Sequence, residues 1–138
     1  MRILGLDFGT KTIGVALSDE LTITAQTLTS LSRTTLQRDL EALLQLIREH
    51  QVDEVVIGMP INMDGSRGPA AQAVDDFIDR LKSLTAVKII PWDERLTTVA
   101  AERILLEGDL SRRKRRLVID RLSAAIILQG YLDSRPKP

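Results

Sequence analysis

The stretch Ile3 to Ala16, ILGLDFGTKTIGVA, constrains the chain more than any other. Apolar residues fill both halves, and Asp7 is the lone acid at the end of the first. Phe8-Gly9-Thr10-Lys11 reads as a tight turn, after which Thr12 to Ser18 runs back with Ile13, Val15 and Leu17 on one side. This pattern predicts a β-hairpin that presents Asp7 at the edge of a buried sheet. A carboxylate there costs free energy unless a cation compensates it, and a bound metal ion is one such cation.

The remaining chain supplies elements to cover that sheet. Leu21 to Leu28 alternates apolar and polar residues and is expected as a third strand of an antiparallel meander. Leu36, Leu40, Leu43, Leu44 and Ile47 recur at helical spacing, with Arg38, Asp39, Glu41, Gln45 and Arg48 on the other face and Thr34 or Thr35 as the cap. His50, the only histidine, reads as a solvated residue near that helix's C-terminal dipole. Val52 to Gly58 is expected as a buried fourth strand, followed by a turn-rich loop, MPINMDGSRGP. Pro69 suits the first position of a second helix carrying Ala70, Ala73, Val74, Phe77, Ile78 and Leu81. Val87 to Trp92 is a fifth strand ending in Asp93-Glu94-Arg95, and Thr97 or Thr98 is expected to cap a helix ending near Gly108. Leu117 to Leu132 is the last helix, in which Ser123, Ala124 and Ala125 permit a close approach. The order βββ-α-β-α-β-α-α implies a mixed α/β sheet with helices packed on its faces, in one domain over residues 1–138.

Composition closes several routes. Without cysteine there is neither a disulfide framework nor thiolate chemistry, and a single histidine argues against a His/Cys zinc site or a Ser-His-Asp triad. The first residues show no signal-peptide pattern, and no apolar run approaches the roughly 18–20 residues of a membrane helix, so no membrane partner is expected. The net charge is +0, yet Arg112-Arg113-Lys114-Arg115-Arg116 concentrates five cations in one place.

Three acids stand where they can converge: Asp7 ending strand 1, Glu94 following strand 5, and Asp120 in the first turns of the last helix. Clustered carboxylates hold divalent ions about 3.5–4 Å apart, which activate water and neutralise a phosphodiester. Oxygen-only ligands favour Mg²⁺ or Mn²⁺, with two ions expected once substrate is bound. Each acid also has a plainer reading. Asp7 pairs with Lys11 or caps its turn, Glu94 pairs with Arg95, and Asp120 is favoured by the helix dipole. Asp93 is the rival of Glu94, but strand alternation sends the two to opposite faces. The basic run is either a solvated loop or a phosphate-binding arm of Arg112, Arg113, Lys114, Arg115 and Arg116. Lys11 and Arg95 are further candidates for substrate contact. With Phe8, Phe77, Trp92 and Tyr131 as the only aromatic residues, no stacking platform is expected, and recognition should rest on backbone and shape.

LGLDFGTKTIGVALSD, VVIGMPINMDGSRGP, WDERLTTVAAE and VIDRLSAAIILQGYLD, in this order, resemble the YqgF family, also called RuvX. The resemblance runs from about Arg2 to Asp133. It implies an RNase H-like fold related to RuvC-type Holliday junction resolvases, with five strands in the order 3-2-1-4-5 and strands 1 to 3 antiparallel. It also implies metal-binding, catalytic acids at Asp7, Glu94 and Asp120, and favours Glu94 over Asp93. The implied activity is endonucleolytic maturation of the 5′ end of pre-16S rRNA during ribosome biogenesis in the cytoplasm, on structured precursor RNA, including RNA on the ribosome. Resolution of branched DNA is the nearest rival, since the same fold and acids would serve it. LDFGTKTIGVA also resembles the first phosphate motif of sugar kinases and actin-like ATPases, but those proteins use two such domains. A non-catalytic nucleic-acid-binding module is a third reading, opposed by the presence of all three acids. No residue pattern identifies an oligomeric state.

Overall fold

Strand β1 (Ile3–Phe8) is the centre of a five-stranded sheet. In the computed structural model, which describes residues 1–96 and 112–136 with the side chains of residues 112–118 and 120 outside that description, β2 (Thr12–Ser18) pairs antiparallel to β1. β3 (Ala25–Ser32) pairs antiparallel to β2. β4 (Glu54–Met59) and β5 (Lys88–Asp93) extend the other side in parallel, giving the order β3-β2-β1-β4-β5. This is the order that the sequence resemblance implies. The expected helix between residues 97 and 108 lies outside the described residues.

Two apolar layers follow from the period of two along the strands. Leu4, Leu6, Ile13, Val15, Val55 and Ile57 pack under helices α1 (Leu36–Glu49) and α2 (Pro69–Lys82). Phe77 of α2 is 1% exposed, and its ring lies 4.6 Å from that of Phe8. Truncating so large a buried ring costs about 3–5 kcal/mol. Ile3, Ala16 and Val56 point to the opposite face and pack under α3 (Arg112–Ser134) through Ala124, Ile127, Leu128 and Leu132. The helices therefore lie on both faces.

Helix α3 lies tight on β1. A Cβ added at Gly5 would stand 2.7 Å from the Leu128 Cβ and 3.0 Å from the Ala124 carbonyl oxygen, so a side chain there would push the helix off the sheet. The other end of α3 is anchored at the start of β4. Tyr131 Oη donates to Glu54 Oε1 at 3.1 Å, and Arg135 lies 3.3 Å from Glu54 Oε2. Burial, reinforced by Glu54, raises the Tyr131 pKa above that of an ordinary phenol. Gln129 adds a tie to the hairpin by donating to the Ile23 carbonyl and accepting from the Ala25 N–H. Helix α3 thus runs antiparallel to β1, its N-terminal turns at the edge where β1 and β4 end.

Several expectations need correction. The third strand begins at Ala25, four residues later than Leu21. Asp19 Oδ1 accepts the N–H groups of Ile23 (2.7 Å) and Thr24 (3.0 Å), which closes a loop where the alternation suggested a strand. Leu21 and Ile23 are consequently 71% and 53% exposed. Asp39 is buried rather than on the solvent face of α1, because it accepts from Arg33 and from the Thr34 N–H. Thr35 is the cap of α1, and His50 closes it at the C-terminus with its N–H on the Leu46 carbonyl. In α2 the buried alanine is Ala71, while Ala70 and Ala73 are exposed. The basic run is helical backbone at the start of α3, not a loop. Asp120 therefore lies eight residues after Arg112, beyond the first turn where a helix dipole acts.

Candidate active site

Asp7 pairs across the hairpin with Gly14 and is 5% exposed. Alternation along β1 puts it on the same face as Ile3 and Gly5, toward α3. The parallel register runs Gly5↔Val56 and Leu6↔Ile57, so one further step brings Asp7 beside Gly58.

Glu94 arrives at that same place from β5. A short 3₁₀ turn, Glu94–Leu96, follows the strand. The Glu94 side chain bends back over Gly58, with Oε1 2.7 Å and Cγ 3.3 Å from where a Gly58 Cβ would stand. Gly58 leaves a cradle which Glu94 and the Ile127 methyl fill together. The two acids thus flank one glycine on the face that α3 covers.

Asp93 takes the other direction, as alternation required. The Arg95 guanidinium forks onto it at 2.8–3.2 Å, and the Arg95 N–H adds a bond of 2.9 Å. The Arg95 hydrogen bonds hold the Asp93 carboxyl below the usual carboxylate range. This identifies Asp93, not Glu94, as the Arg95 partner. The Arg95 fork, expected as a substrate contact, is engaged with Asp93 in this structure. These bonds span the start of the turn that carries Glu94.

Asp120 belongs to this edge by its backbone. It precedes Ala124, whose carbonyl meets Gly5, by one helical turn. That turn rises about 5.4 Å. Two residues of β1, from Gly5 to Asp7, rise about 6.6 Å in the same direction. The Asp120 backbone therefore stands level with Asp7, while its side chain lies outside the described residues. Among the described residues no group of three His, Cys, Asp or Glu side chains gathers as a metal cluster. Arg112, Arg113, Lys114, Arg115 and Arg116 start α3 at the same edge, again with side chains outside the described residues. Lys11 is exposed in the β1–β2 turn, its carbonyl accepting the Arg33 N–H at 2.8 Å.

Two features escaped the sequence reading. Arg33 stacks over Phe8 at 4.3 Å, donates to the Gly9 carbonyl at 3.1 Å and pairs with buried Asp39, clamping the turn behind Asp7. Its signal was the acid Asp39 lying four residues after the Thr35 cap. Gly58 is the other. A glycine ending an apolar strand signals close approach, but only the structure shows what approaches.

The buried acid beside the central strand's end, on a mixed sheet flanked by helices, defines an RNase H-like α/β protein. Solved structures share this architecture. Thermus thermophilus RuvC in complex with a Holliday junction substrate superposes with a TM-score of 0.60 at 12% identity, covering 96% of each chain. The fowlpox virus Holliday junction resolvase gives 0.56 at 14%, covering 98% of this chain and 100% of the other. The family model of RuvX, described as Holliday junction resolvase, matches residues 1–134, and the chain belongs to that family. Membership places it among nucleases, hydrolases of phosphodiester bonds. Proteins provisionally named pre-16S rRNA nuclease are similar along nearly all their length. That of Moorella thermoacetica is 59% identical over 133 residues, covering 96% of this chain and 95% of its own. That of Carboxydothermus hydrogenoformans is 55% identical over 137 residues, covering 99% of both.

Proposed function

We propose that this protein is a metal-dependent endonuclease that matures the 5′ end of pre-16S rRNA, with Asp7, Glu94 and Asp120 as its metal-binding and catalytic acids. The observation that carries the reading is the Glu94 carboxylate folded over Gly58 beside the buried Asp7. An apolar sheet edge that tucks one carboxylate into a glycine cradle next to another suits a hard divalent cation. Mg²⁺ or Mn²⁺, two ions with substrate present, would activate water and stabilise the leaving oxygen. Asp7 holds its position through β1, Glu94 through the turn fixed by Asp93 and Arg95, and Asp120 through the packing of α3 on Gly5. Lys11 and the cations of Arg112 to Arg116 draw the phosphate backbone to this edge. The setting is ribosome biogenesis in the cytoplasm. No helix among the described residues is long and apolar enough to cross a membrane.

Branched DNA is the second reading, favoured by the description of the matching family. Cleavage assays separate the two. A precursor 16S 5′-leader RNA and a four-way DNA junction are incubated with purified protein in Mg²⁺ and in Mn²⁺, beside Asp7→Asn. Cutting of the RNA alone, abolished by Asp7→Asn, is the expected result. Cutting of the junction alone transfers the site to resolution. Equal cutting by the variant overturns the assignment of the acids.

A further inference from the structure

We propose that Met63 is a wedge that enters the substrate's base stack next to the cleaved bond. The inference rests on the nucleic-acid reading above. Met63 is 88% exposed, the most exposed large apolar side chain among the described residues. A single exposed methionine would mean little on its own; the loop that carries it is the second observation. A bridge between Ile61 and Arg67 closes the loop at its base. The polar side chains around Met63 bond to one another: Asn62 Nδ2 donates to Ser66 Oγ at 2.9 Å, and Asp64 Oδ1 accepts from both the Ser66 N–H and its hydroxyl. Arg67 is tied to Asp75 of α2. The tip thus spends its polar groups on its own shape and presents Met63 outward.

The position of the loop fits the role. It leaves the end of β4 right after Gly58 and Met59, at the edge where Asp7 and Glu94 stand. Arg95 Nη1 lies 3.6 Å from the Cβ position of Gly65, next to the turn that carries Glu94. The aromatic rings are occupied elsewhere, Phe8 against Phe77 and Trp92 against Tyr131. With no ring free to stack, a large apolar side chain on a fixed loop is the group suited to push neighbouring bases apart. Such a wedge would give a backbone-reading enzyme its preference for kinked or weakly stacked sites.

The test uses the precursor 16S leader RNA with 2-aminopurine placed in turn along the region cut, in Ca²⁺ for binding and in Mg²⁺ or Mn²⁺ for cleavage. Unstacking raises 2-aminopurine fluorescence. The wild type is expected to raise it several-fold at one step. Met63→Ala should lose most of that rise and cut at least 10-fold more slowly, with an unchanged melting temperature. Met63→Leu should restore both. The wedge is overturned if Met63→Ala matches the wild type in signal and rate, or if the wild type cuts in an Asp7-dependent way with no signal at any position. If the wild type neither binds nor cuts the RNA, the pre-16S rRNA reading falls and takes the wedge with it.

Discussion

Glu94 occupies the space that any side chain on Gly58 would need, its Oε1 2.7 Å from the missing Cβ. An acid just past β5 and a glycine of β4 are therefore one unit. Gly58→Ala is expected to swing the carboxylate away and crowd Ile127, at a cost of about 1–3 kcal/mol in stability. The decisive comparison is Mn²⁺ titration by calorimetry at a temperature where the variant is folded. Affinity should fall as far as in Glu94→Gln.

Removing an acid should act on metal and fold in opposite directions. Asp7→Asn and Asp120→Asn are each expected to weaken Mn²⁺ binding at least 10-fold. In metal-free buffer their melting temperatures should hold or rise, because neighbouring carboxylates repel one another. A large fall in either melting temperature without metal would mark that acid as structural.

The Asp93–Arg95 fork makes some of the stability sensitive to acid. Its hydrogen bonds depress the Asp93 pKa in the folded state. The contribution is thus complete above the unfolded carboxylate pKa of about 3.9 and is lost as pH falls through the lower folded value. Arg95→Gln should flatten the acid limb of a stability profile below about pH 4 and leave its shape near neutrality unchanged. Urea unfolding at a series of pH values reads this out. Since the same fork fixes the turn of Glu94, the variant should also bind Mn²⁺ more weakly.

The basic start of α3 predicts a salt effect. Neutralising Arg112, Arg113, Lys114, Arg115 and Arg116 to glutamine should weaken RNA binding. It should also flatten the slope of log affinity against log salt, by about 0.7 for each single-strand phosphate that the protein no longer neutralises. Glutamine keeps a high helix propensity, so helix content by circular dichroism should be maintained. An unchanged slope would show that these cations face solvent only.

How far the sequence could be read depends on whether a residue's partner was near it in the chain. β1, β2 and the start of α2 at Pro69 were evident, because alternation and a proline are local signals. β3 was displaced because LTITAQTL alternates whereas AQTLTSLS, with Ala25, Leu28 and Leu31 three apart, does not, and the choice lies in the Asp19 side chain capturing two N–H groups. Asp39 looked solvated because a helical pattern says nothing of Arg33 packing over it. The basic run read as a loop because apolar periodicity starts only at Leu117, although Arg and Lys are good helix formers. At the site, alternation alone separated Glu94 from Asp93, and the structure bears that out. The cradle at Gly58 was invisible, since it is made by residues that follow β5 or sit on α3.

Helix α3 covers Ile3, Ala16 and Val56, residues synthesised long before it. As the chain leaves the ribosome, that side of the sheet stays bare until the last segment is made and docks. The proposed third acid arrives with the same helix, so an unfinished chain would have the sticky surface of a folding intermediate and none of the cutting power of the finished protein. For a nuclease proposed to cut precursor rRNA, that order is a safeguard. A chain ended after Leu96 should bind a hydrophobic dye strongly and leave precursor RNA intact; cleavage by such a fragment would show that the final helix is dispensable to the chemistry.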